Sequence, residues 1–156
     1  MISVATFDLD RLEVFAVAAL ARFASEHPNE LFDGFAIDAA LLCLSLASDT
    51  ASGRAHLVAQ HQAGQFLPRP TLEESVAAMR RETGDWAYQG FAEMRDEDGF
   101  DRAAYRAHYD LDDAAQKTSA YGLAMDALLA RLVARDAFAS LRRTDDFLVI
   151  RVEHGY

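Results

Sequence analysis

The chain has 156 residues, of which 51% are apolar and 26% charged, enough material for one hydrophobic core, so a single domain over 1–156 is expected without disulfide or metal staples. The formal charge of −10 repels phosphate backbones and anionic lipid, which disfavours nucleic acid and membrane surfaces as partners. The longest apolar run, Val14 to Ala21, is far shorter than the roughly 18–20 residues of a membrane span.

Met1 to Thr6 lack the basic start of a secretory signal, and the lone Cys43 lies between Leu42 and Leu44 as a small buried hydrophobe. A cytoplasmic address follows as the expectation. Arginine almost wholly replaces lysine, Lys117 being the sole lysine, a bias associated with GC-rich bacterial genomes.

In chain order, Leu9, Leu12, Ala16, Ala19, Leu20 and Phe23 recur at helical spacing. They predict a helix from Asp8 to Ser25 that Pro28 ends. Leu31 to Asp38 and Leu41 to Ala47 alternate as strands, with Phe35 and Ile37 on one face of the first and Leu42, Leu44 and Leu46 on one face of the second. A hairpin turning near Asp38 to Ala40 is expected. Ser48, Asp49 and Thr50 with Ser52 and Gly53 form a turn cluster before a short helix over Ala55 to Ala63, and Gln65 to Pro70 read as a connector. Thr71-Leu72-Glu73-Glu74 matches a capping box, opening a helix that closes near Thr83 and Gly84.

Asp85 to Ala92 mixes Trp86, Tyr88 and Phe91 with small residues, the pattern of a further strand. Asp112 to Leu141 carries a helical stripe of Ala115, Thr118, Met125, Leu128, Leu129, Leu132 and Phe138: one long helix, or two with a break near Asp136. Leu148, Ile150 and Val152 alternate with Val149, Arg151 and Glu153 in a closing strand. The sum is an α+β fold. Its small, mostly antiparallel sheet comprises the hairpin near 31–47, a strand near 85–92 and a C-terminal strand over 147–153, packed against several helices that include a long C-terminal one.

Little in the sequence carries recognisable chemistry. His56 and His61 stand five apart, whereas two imidazoles on one helical metal site need a spacing of four, and one cysteine with scattered His27, His108 and His154 supplies no recognisable ligand set. Asp96-Glu97-Asp98-Gly99-Phe100-Asp101 fails as a calcium loop, because with Gly99 at the required sixth position the first ligand would be Met94 and the twelfth, in place of Glu, Tyr105. Ser52 and Ser119 lack the Gly-x-Ser-x-Gly turn of an activated nucleophile, and no phosphate-cradling glycine loop occurs. No metal and no cofactor is expected.

One segment stands out. Between Glu93 and Asp113 lie Glu93, Asp96, Glu97, Asp98, Asp101, Asp110, Asp112 and Asp113 against Arg95, Arg102 and Arg106, so this stretch holds half of the net charge, with Phe91, Phe100, Tyr105 and Tyr109 interleaved. Carboxylates steer encounter with a cationic surface, and aromatics among them anchor a complex. Asp96, Asp98, Asp101, Tyr105, Tyr109 and Asp110 are therefore the candidate contacts for a basic protein partner. A solvated loop and helix face is the plainer reading of the same residues.

The hairpin around Phe35-Ala36-Ile37-Asp38 and Leu42-Cys43-Leu44-Ser45, the segment Gly84-Asp85-Trp86-Ala87-Tyr88-Gln89-Gly90-Phe91 and the closing strand to His154 resemble a bacterial family, domain of unknown function 4303. The resemblance implies an α+β fold and no established activity. In it Gly84, Asp85, Trp86, Tyr88 and Gln89 form a motif whose role reads as structural. Such proteins look like immunity or antitoxin-like partners of toxins, so the resemblance implies a non-enzymatic binding protein of the bacterial cytoplasm. The alternative is a small-ligand-binding protein or an enzyme with a site near Asp85, Tyr88, His108 and Asp110.

Overall fold

The computed structural model describes residues 7–47, 51–63, 83 and 86–152. The first helix, α1 (Leu9–Glu26), starts where the Asp8 side chain accepts the Arg11 N–H at 3.1 Å and stops at His27, whose backbone leaves helical geometry ahead of Pro28. Strands β1 (Leu31–Asp38) and β2 (Leu41–Leu46) form the expected antiparallel hairpin, with Asp38 opposite Leu41. Ala39 turns the corner at φ 55°, an unusual backbone for a residue with a Cβ, and the Tyr121 hydroxyl donates to its carbonyl at 2.8 Å.

Helix α2 (Ala51–Ala63) begins earlier than the turn cluster suggests: Ser52 and Gly53 lie in its first turn, where backbone N–H groups need no helical acceptor. The connector after Gly64, the capping-box segment, Ser48 to Thr50, Gly84 and Asp85 lie outside the described residues. Strand β3 (Tyr88–Glu93) starts three residues later than expected, because Trp86 and Ala87 form a bend. A 3-10 turn (Asp96–Asp98) follows, then α3 (Arg102–Tyr109), α4 (Asp113–Lys117), α5 (Ala120–Ala134) and β4 (Arg142–Val152).

The long C-terminal helix is thus divided, and at a different place from Asp136. Thr118 ends α4, and the Ser119 hydroxyl accepts the Gly122 N–H at 2.9 Å to begin α5. A serine that caps a new helix competes with continuation of the old one. Asp136, at φ 53°, lies past the end of α5 in a left-handed turn.

The sheet order is β3-β2-β1-β4. Its two antiparallel pairings agree with expectation, but β4 runs parallel to β1, and the sheet is mixed. β4 also begins at Arg142, earlier than Phe147, because Arg142 and Arg143 pair with Leu31 and Phe32. The chain returns to that edge through α5, and a helical crossover is the connection that parallel strands require.

One face of the sheet carries the main core. Phe35, Ile37, Leu42 and Leu44 meet Leu12, Ala16, Leu20 and Phe23 of α1 and Met125, Leu128 and Leu132 of α5. Each large side chain so buried contributes about 1.5–3 kcal/mol. A bulge between Phe32 and Gly34 brings Phe32 to the same face despite its odd spacing from Phe35. On the opposite face Ala36, Cys43 and Trp86 cluster, and Gly34 leaves room for the indole: a Cβ there would sit 3.2 Å from it. Burial pushes the Cys43 thiol up to about 11, which keeps it protonated and unreactive at neutral pH. No helix among the described residues is long and apolar enough to cross a membrane.

Candidate functional site

Helix α1 has two working faces. Leu12, Ala16, Leu20 and Phe23 point into the core, while Phe15, Ala18, Ala19, Arg22 and Glu26, spaced by three and four, form a second stripe beside it. That second stripe is one wall of a groove of about 390 Å³. Phe91, Ala92 and Glu93 of β3 and Arg95, Glu97 and Asp98 around the 3-10 turn complete it. Its volume falls within the range of ligand-sized clefts. A shallower depression of about 350 Å³ adjoins it, lined by Glu93, Arg95, Asp96, Glu97 and Arg102.

Local chemistry fixes the two walls relative to each other. The Asp8 N–H donates to the Gly99 carbonyl at 2.9 Å, and Phe7 meets Phe100 edge-on at 5.3 Å. Gly99, at φ 101°, is required there, since a Cβ would lie 2.7 Å from the Asp8 carbonyl. At the base of the groove Phe23 packs on Phe91 with ring centres 4.9 Å apart.

Behind Phe23 lies a polar aromatic cluster. The Tyr88 hydroxyl donates to Glu30 Oε2 at 2.6 Å, His27 Nδ1 lies 3.4 Å from the same oxygen, and the imidazole stacks on Phe23 at 4.1 Å. Burial first, then the bond to Glu30, pushes the Tyr88 pKa up to about 12, so the phenol stays a donor. Tyr88 thus serves the α1–β3 joint and faces inward. Exposed Gln89 donates from Nε2 to the Trp86 carbonyl at 3.3 Å, and Trp86 is a buried anchor.

The acidic segment is ordered by its own backbone. Asp98 accepts the Arg95 N–H at 3.0 Å, Asp101 the Ala104 N–H at 3.0 Å and Asp112 the Ala115 N–H at 2.8 Å, which closes the 3-10 turn and caps α3 and α4. Asp96 reaches the Arg102 N–H at 3.3 Å. Glu93 and Glu97 stand 3.4 and 3.8 Å from Arg102 and Arg95, in pairs exposed enough for solvent to weaken them greatly. None of the eight carboxylates is buried, and backbone N–H groups hold four of them, Asp96, Asp98, Asp101 and Asp112, in place without hiding them.

The six candidate contacts divide. Asp96 and Asp98 belong to the 3-10 turn beside the groove, and Asp101 caps the start of α3. Tyr109 is 42% exposed and Asp110 caps the far end of α3. Tyr105 turns inward, its ring 4.8 Å from Tyr121, and burial raises its pKa.

His108 is buried at 2% exposure, with Nδ1 2.6 Å from Ser119 Oγ. The Ser119 hydroxyl has one proton and two acceptors within reach, His108 Nδ1 and the Gln116 carbonyl at 3.1 Å, while it accepts from Gly122; when the proton goes to the carbonyl, Nδ1 carries hydrogen and donates to Ser119. In that tautomer the imidazole cannot draw a proton from Ser119 through Nδ1. Burial, and secondly the charge of Arg151, lowers the His108 pKa. The adjoining cavity, bounded by Ala39, Tyr105, His108, Tyr109, Gln116, Tyr121 and Val152, measures about 10 Å³, room for no more than a water.

Tyr88 and His108, two members of the alternative site, sit in separate clusters with no shared partner among these contacts. Asp110 is on the surface, and Asp85 lies outside the described residues. No group of three or more His, Cys, Asp or Glu that could hold a metal occurs among the described residues. The groove-lining Phe15, Arg22 and Glu26 belong to no motif in the sequence, their one local signal being the position of Phe15 and Ala18 off the core stripe of α1. No family model matches the chain, and no curated protein or solved structure matches it.

Proposed function

We propose that this is a non-enzymatic binding protein whose acidic segment meets a cation-rich protein surface, as an immunity or antitoxin-like partner of a basic toxin domain in a bacterial cytoplasm would. The observation that carries the reading is the display of eight carboxylates from Glu93 to Asp113, none of them buried and four of them held by caps and turns, beside an open groove. Pre-ordered charges lose little side-chain freedom on binding, and a cluster of one sign accelerates encounter with the opposite sign. Asp110 adds support. A carboxylate at the carbonyl end of α3 opposes the helix dipole, so helix stability does not account for its presence. Membership of the family called domain of unknown function 4303 is part of the same proposal and rests on the Trp86, Tyr88 and Gln89 motif and the hairpin pattern.

The test is to read the neighbouring genes for a basic domain and to measure this chain's binding to it by calorimetry across a salt series. The affinity should fall steeply with salt. Asp101→Asn with Asp110→Asn should weaken it about tenfold, because Asn preserves the Asp101 cap while removing charge. Salt-insensitive binding, or a neighbouring gene that encodes no such domain, refutes the reading.

A further inference from the structure

We infer that the groove between α1 and β3 is the anchoring site for an arginine- or lysine-bearing segment of that partner, an inference that rests on the binding reading above and gives it a location. The lining explains the choice of occupant. Together with the adjoining depression its ionic side chains are Glu26, Glu93, Asp96, Glu97 and Asp98 against Arg22, Arg95 and Arg102, five negative and three positive, for a local excess of two negative charges even with Arg102 beside Glu93. Beneath them lie half-buried Phe15 and Phe91 with the largely covered Phe23. Long cationic side chains fit such a surface because they are amphipathic: the methylene stem covers apolar area while the head reaches a carboxylate, and an aromatic face adds attraction for the charge.

The site is prepared in advance. Asp98 is held by the Arg95 N–H, Gly99 clasps the turn to the start of α1, and Phe23 is braced by Phe91 and Tyr88 at 4.9 Å each. A polypeptide is favoured over a free polyamine by the run of the surface. The groove shares Glu93, Arg95 and Glu97 with the neighbouring depression, so an extended chain could place successive cationic residues in both.

The probe is a fluorescein-labelled peptide of alternating arginine and leucine, titrated by anisotropy against the full chain at low salt. Ala18→Trp, which fills the groove from its exposed wall without altering charge, should weaken binding at least about tenfold. Glu26→Gln should weaken it about threefold, and Asp145→Asn, an equal loss of charge on β4 at the opposite edge of the sheet, less than about twofold. Peptide-induced amide shifts in the wild-type chain should centre on Arg22, Glu26 and Phe91, a readout that survives if the Trp variant fails to fold.

Equal effects of Glu26→Gln and Asp145→Asn would mean bulk charge alone, and would overturn the groove. So would unchanged affinity in Ala18→Trp with shifts confined to Asp110 and its neighbours, although the binding reading would then stand. Spermidine binding as tightly as the peptide, with the same sensitivity to Ala18→Trp, would reassign the groove to a small polycation. No binding of the peptide, together with no binding of the basic neighbour domain, would remove both inferences.

Discussion

Two clusters in this protein use the same residue types to opposite ends. At the end of α1, His27 and Tyr88 converge on the Glu30 carboxylate beside an open groove of about 390 Å³. At the junction of α3 and α5, His108 is sealed among Tyr105, Tyr121 and Ser119 beside a space of about 10 Å³. The first cluster offers its imidazole a negative partner, while the second offers a hydroxyl and the positive charge of Arg151. A histidine with a tyrosine near it therefore carries no functional meaning until its surroundings are known, and here the polar pair that looks most like a catalytic dyad is the one cemented into the interior.

That contrast can be broken most severely at Ser119. Ser119→Ala removes the cap of α5 and strands both the Gly122 N–H and His108 Nδ1, and should cost about 3 kcal/mol in urea unfolding. A loss below about 0.5 kcal/mol would show that the sealed cluster is not structural. Tyr88→Phe at the open cluster should cost only about 1 kcal/mol, since solvent and His27 remain available to Glu30. A larger loss than that of Ser119→Ala would invert the comparison.

The smallest expected effect is in pH. His108 has its pKa lowered from 6.5 by burial, so the unfolded chain binds the proton more readily than the folded one. This group's contribution to stability is complete above pH 6.5 and declines as pH falls from there toward the folded pKa. Melting curves should show a falling midpoint over that interval, and His108→Gln should flatten it relative to wild type. An unchanged slope in the variant would assign the pH dependence to other groups.

Local patterning made much of the fold legible. The three-and-four spacing of Leu12, Ala16, Leu20 and Phe23 specified α1, the alternation around Phe35 and Leu44 specified the hairpin, and Trp86 read correctly as an anchor. Where local signals competed, legibility failed. Ser119 divides a continuous apolar stripe because its hydroxyl captures the Gly122 N–H, and α3 was obscured by charges whose main local task is capping.

What the sequence by itself determined is what depends on near neighbours: the α+β class, the strand faces, the buried Cys43 and the accumulation of carboxylates between Glu93 and Asp113. Only the tertiary structure decided the parallel entry of β4, the approach of His108 to Ser119 and the groove that gathers Phe15, Glu26, Phe91 and Asp98. The reason is physical: periodicity records which side of an element avoids water, whereas a site depends on which sides meet, and that is set by packing between residues remote along the chain.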